Sequence, residues 1–158
     1  MTKIYNALNK LVEFILVAIF ALLVVDVLWQ VFGRYILQES PSFTEEFARF
    51  SLIWLSILGA AYLNGQRAHL SMDFLVQKLS PEQKVQRMKI VEGIMIVFAL
   101  AVMVIGGGNL VYTTLILGQV SAAMNVPLGF VYLIIPFSGL LIIFYSIYNI
   151  LHPAPIEG

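Results

Sequence analysis

From Gly93 to Ile156 the chain carries no Asp, Glu, Lys or Arg, and that run decides what it can fold into. A charge-free stretch of this length cannot be the surface of a soluble domain. Crossing a hydrocarbon core of about 30 Å takes about 20 helical residues. The sequence holds four such apolar runs, at Leu11–Leu37, Phe43–Asn64, Lys89–Leu117 and Leu128–Leu151. They are continuously apolar and far longer than a membrane strand, so helices are expected and not a barrel. The fold class is therefore all-α, one four-helix membrane domain over residues 1–158. Lys3 and Lys10 precede the first run as in a signal peptide, but the apolar stretch continues to Leu28 without a clear cleavage site, so it reads as an anchor.

Basic residues set the expected orientation. Lys3, Lys10, Arg67, Lys78, Lys84, Arg87 and Lys89 fall on one side, while Arg34 and Arg49 fall on the other among three glutamates. The positive-inside rule then places both termini and the middle connection in the cytoplasm. In a bacterial inner membrane the connections around Ser40 and Ser121 would face the periplasm. The net charge of zero excludes a broadly basic nucleic-acid binder. With no cysteine there is no disulfide framework, thiolate metal site or thiol nucleophile.

Charge gathers where the first two spans meet. Gln30-Val31-Phe32-Gly33-Arg34-Tyr35 closes the first, and Thr44-Glu45-Glu46-Phe47-Ala48-Arg49 opens the second. A charged group this close to hydrocarbon must reach the interface or find a partner. Ser42 with Glu45 three residues later forms a capping box after Pro41, and both glutamates favour the positive helix end. The pair thus serves either local helix chemistry or partner binding. Arg49 lies on the face of Glu45 and Glu46. Asp26, Gln30 and Arg34 form an i, i+4, i+8 stripe that should face protein rather than lipid. Asp26, the deepest ionisable group on this reading, is either an ion or proton site or a hydrogen-bonding group held by Gln30 or a neighbouring helix. The second is favoured, since no second acid or base shares its depth.

In the middle connection Leu70, Phe74, Leu75 and Leu79 can share one side, with Asp73, Gln77 and Lys78 opposite. That pattern predicts an amphipathic interfacial helix over roughly 70–79, which His69 and Asp73, four apart, can brace by a hydrogen bond. Ser80-Pro81-Glu82-Gln83 then starts a helix that would run about 55 Å from Pro81 to Leu117. Gly106-Gly107-Gly108-Asn109 interrupts it and reads as close packing or a kink, as do Pro136 and Gly139 in the fourth span. No metal-spaced cluster or catalytic triad is suggested, and His69 and His152 fall outside the spans where a bis-histidine haem would need them. No enzyme and no cofactor are expected.

Taken in order, these residues resemble the small membrane subunit of tripartite ATP-independent periplasmic (TRAP) transporters, the DctQ-like family. The resemblance rests on Arg34-Tyr35, Pro41, Glu45-Glu46-Phe47-Ala48-Arg49, Trp54, Gly59-Ala60-Ala61, His69 with Asp73, Leu79-Ser80-Pro81, Pro127-Leu128 and Pro136. It spans Leu11 to about Ile150. Phe43 stands where the family often has Trp, which keeps an interfacial ring but loses the indole donor. The resemblance implies a scaffold subunit in the bacterial inner membrane beside a large transport subunit. That large subunit uses a sodium gradient to import an organic acid, a sialic acid or C4-dicarboxylate, delivered by a periplasmic binding protein, with a mild leaning to the sialic-acid branch. Arg34, Glu45, Glu46 and Arg49 are then assembly residues, and Asp26, Gln30, Trp54, His69 and Asp73 structural or interface residues. The alternative is a self-contained homo-oligomeric four-helix exporter built on Asp26.

Overall fold

A computed structural model describes residues 2–37, 42–66 and 81–152. Helix α1 covers Thr2–Phe32 and ends in a π-helical turn at Gly33–Leu37; α2 covers Ser42–Gly65. Helix α3, Pro81–Phe98, runs through a π-helical stretch at Ala99–Gly106 into α4, Gly107–Ile116; α5, Leu128–Tyr132, leads into α6, Ile134–Leu151. Among the described residues there are four helical spans long and apolar enough to cross a membrane, at Lys3–Ile36, Ser42–Gly65, Val85–Ile116 and Leu128–Leu151. No strand occurs among them; Val120 and Pro127 form an isolated bridge. The expected interfacial helix, with His69 and Asp73, lies outside the described residues.

The fourth span is the hub. In its most apolar stretch 44% of the residues are buried, against 6% in the first span. Helix α6 packs on α2, on α3 and on the π-helical stretch, whereas α1 packs chiefly on α2. Lipid tails are as apolar as leucine, so helices in a bilayer associate through close packing and interhelical hydrogen bonds. The interior follows that rule: beside Leu58, Ala61, Ala99 and Tyr145 it buries Asn64, Glu92, Ser138, Ser146 and Asn149, while large apolar side chains crowd the outside.

Two glycines bring the second pair of spans together. A Cβ at Gly139 would lie 2.8 Å from the Cβ of Met103, and one at Gly107 would lie 2.7 Å from Cγ2 of Ile135. The glycine run therefore does not interrupt its helix; α4 continues straight out of the π-helical stretch, and Gly107 is a packing contact. In the fourth span the break falls at Leu133, between α5 and α6. Pro136 explains its place, because proline lacks the N–H that would bond the carbonyl four residues back.

Helix α1 begins at Thr2, well before the apolar run. Its polar first turns are tied to the other chain end. Tyr5 stacks on Tyr148 at 4.2 Å and meets Tyr145 edge-on at 5.7 Å, and its hydroxyl donates to the Gly65 carbonyl at 2.6 Å.

Candidate functional site

The charged residues at the junction of α1 and α2 separate into distinct roles. Gln30 Nε2 donates to Asp26 Oδ2 at 2.7 Å and to the Thr44 carbonyl at 3.1 Å. The polar stripe of α1 thus closes on itself and on the first turn of α2. Arg34 lies 3.9 Å from Glu45, with both side chains half or more exposed. An exposed ion pair of that kind contributes little to stability. Arg49 is exposed and makes no ion pair among the described residues.

Glu46 does something its sequence neighbourhood does not announce. Its carboxylate accepts backbone N–H bonds from Ala122 at 3.1 Å, Ala123 at 2.8 Å and Met124 at 2.8 Å. Successive amides converging on one anion form a concave nest, filled here by a side chain from α2. The connection is shaped for it. Ser121 N–H donates to the Val126 carbonyl at 2.9 Å, Asn125 N–H to the Ser121 carbonyl at 3.2 Å, and Leu128 N–H to the Gln119 carbonyl at 2.9 Å. Val126 N–H donates to the Ser121 hydroxyl at 3.3 Å. Asn125 closes the turn at φ 54°, a left-handed conformation that asparagine tolerates better than most residues. One carboxylate therefore pins the α4–α5 connection to the start of α2.

Trp54, two turns further along α2, donates from its indole nitrogen to the Val131 carbonyl at 3.0 Å. These two anchors hold α5 beside α2 and frame an apolar groove of about 330 Å³, lined by Ile19, Leu22, Phe47, Met124, Phe130 and Val131 among others.

A second polar cluster sits at the opposite end of the bundle, where α2 and α6 finish. Asn149 Nδ2 donates to Glu92 Oε1 at 2.9 Å and to the Asn64 carbonyl at 3.4 Å. Asn64 Nδ2 donates to the Ser146 hydroxyl at 3.1 Å. Three helices are laced together by groups that are each at most 8% exposed. The sequence reading did not single out Glu92, Asn64 or Asn149. Glu92 stands among the charged residues before the clean apolar run, and Asn64 at the very end of its own. An i, i+3 register of Asn149 with the small Ser146 was the available signal.

The arrangement links helices; among the described residues no group of His, Cys, Asp or Glu could hold a metal ion. Its likenesses are to transporter subunits. Residues 23–155 match the family model described as tripartite ATP-independent periplasmic transporters, DctQ component. A putative TRAP transporter small permease protein of Haemophilus influenzae is 36% identical over 81 residues, which are 51% of this chain and 50% of that protein. The chain thus spans about half the length of that relative. The sialic acid TRAP transporter small permease protein SiaQ of Vibrio cholerae is 26% identical over 133 residues, 80% of this chain and 77% of its own. A second putative TRAP transporter small permease protein of Haemophilus influenzae is 27% identical over 131 residues, 83% of this chain and 78% of that protein. With four apolar spans laced by interhelical hydrogen bonds and a family match running from Leu23 to Pro155, the chain belongs to the DctQ family, the small membrane component of the TRAP transporters.

Proposed function

We propose that this subunit is the fixed scaffold of its transporter. It sits in a bacterial inner membrane with both termini and the middle connection in the cytoplasm, as the distribution of basic residues favours. It packs against a large membrane subunit that uses a sodium gradient to import an organic acid, and a periplasmic binding protein delivers the cargo. The likeness to a sialic acid small permease favours a sialic acid over a C4-dicarboxylate. The whole chain acts as one domain, braced by an interfacial helix over roughly 70–79, with His69 just before it paired to Asp73.

The observation that carries this reading is the Glu46 clamp. It ties the connection between the second pair of spans to the first pair, which makes the periplasmic end a rigid platform. Arg34, Glu45 and Arg49 remain exposed on that end, as a charged rim for the large subunit or the binding protein. Asp26 is engaged by Gln30, which suits a structural group better than the working acid of a self-contained exporter.

The test is uptake of sialic acid by proteoliposomes holding the large subunit, with the periplasmic binding protein supplied outside and this chain present, absent or carrying Arg49→Ala. The scaffold reading expects sodium-dependent uptake with the native chain, little without it, and reduced uptake and weaker subunit association with Arg49→Ala. Normal association and uptake in that variant would remove Arg49 from the interface.

A further inference from the structure

The glycine run and its asparagine hold a signal that packing within the chain does not absorb. Gly107 closes on α6, but its neighbour Gly106 and Asn109 are both exposed. Gly106 sits at φ −64° and ψ −47°, a backbone that any residue adopts. Beyond its own turn of helix, a Cβ there would meet only the Ala101 carbonyl, at 3.6 Å. Nothing in this chain therefore calls for glycine at a position where it weakens the helix. The buried side of α4 is Gly107, Val111 and Thr114. At about 100° per residue Asn109 points almost directly away from them, with the exposed Thr113 one turn on. Neither side chain makes a hydrogen bond among the described residues.

The span ends at Ile116, so Asn109 lies about 10 Å along the helix from that end, within a hydrocarbon core of about 30 Å. Lysine and arginine can snorkel from such a depth; a carboxamide on one methylene cannot. Lipid tails offer it neither donor nor acceptor, and an unpaired polar group in hydrocarbon is costly. We propose that the outer face of α4, formed by Gly106, Asn109 and Thr113, seats a transmembrane helix of the large subunit. The proposal rests on the scaffold reading and adds to it a contact inside the bilayer, apart from the charged rim. Asn109, with two donors and an acceptor oxygen, takes from that helix the hydrogen bonds that lipid cannot give. Gly106 lets the partner backbone come close enough to make them, as small residues do where membrane helices pair.

The native chain, Asn109→Leu and Gly106→Leu are each titrated with the purified large subunit in mild detergent, and each is also melted alone. The face predicts that both variants bind about threefold or more weakly. Alone, both should melt no lower than the native chain, because leucine is the better helix former and displaces no neighbour there. A smaller fall in affinity with either variant would overturn the proposal and leave the scaffold reading standing. Lower melting of either variant alone would overturn it too, since the residue would then serve this chain's own packing. Self-association of the native chain that the variants lose would assign the face to a second copy and overturn the large-subunit partner. A native chain that binds no large subunit would overturn the scaffold reading, and the proposal with it.

Discussion

Replacing Asn149 by leucine tests the polar lacing of the bundle in energetic terms. The volumes are similar, so no cavity term enters. The loss includes the donor that Glu92 Oε1 receives at 2.9 Å and the longer contact to the Asn64 carbonyl at 3.4 Å. A hydrogen bond to a charged group contributes about 1.5–3 kcal/mol, and stripping a buried charged group of its partner costs toward the upper end. Because Oε2 has no partner to begin with, the substitution leaves the whole carboxyl unpaired. The long second contact adds a few tenths at most, so the expected loss is about 3 kcal/mol. Glu92→Leu should cost less, since Asn149 keeps the Asn64 carbonyl as acceptor. The double variant should cost clearly less than the two singles summed, with a coupling of about 1–2 kcal/mol. Denaturant titration in mild detergent measures the cycle. A loss under about 0.5 kcal/mol for Asn149→Leu, or strict additivity in the double variant, would refute the reasoning.

Other substitutions probe the remaining contacts. Glu46→Ala should speed hydrogen exchange at the Ala123 and Met124 amides by at least tenfold while the helix-core amides of α6 keep their protection; unchanged exchange would show that the turn holds itself. Gly139→Val must push against the Met103 Cβ, which a Cβ would meet at 2.8 Å, and overpacking of that kind costs about 1–3 kcal/mol, visible as a lowered melting temperature. Trp54→Phe keeps the ring but loses the donor to the Val131 carbonyl, a loss of about 1 kcal/mol in the same assay. Arg34→Ala should leave stability within about 1 kcal/mol of the native chain, because its ion pair to Glu45 is exposed; any large effect on uptake then belongs to the interface.

The spans were legible because the bilayer imposes a crude requirement, a long apolar run, that survives any detail of packing. The Asp26–Gln30 bond was legible for the same kind of reason: four residues on a helix bring two side chains onto one face. Glu45 and Glu46 show where that logic stops. In sequence they form a pair, yet adjacent residues on a helix point about 100° apart. One reaches Arg34 and the other a turn that follows it by more than seventy residues. No local pattern marks the Ser121–Val126 turn as a receptor for a distant carboxylate. Glu92 was hidden differently. It sits among solvated charges in the sequence, and only the crossing of α3 with α6 reveals that it faces Asn149. The start of α1 at Thr2 was not legible because Lys3, Asn6, Asn9 and Lys10 break the apolar run there, and Tyr5 packs that first part on the aromatic end of α6.

The scaffold reading stands or falls on a large partner. Gentle detergent extraction of the tagged chain from its native membrane, followed by mass spectrometry of what co-purifies, addresses that directly. A stoichiometric large multi-span membrane protein is the predicted result. Recovery of this chain alone, or only as copies of itself, would contradict the account and return Asp26 to the centre of the problem.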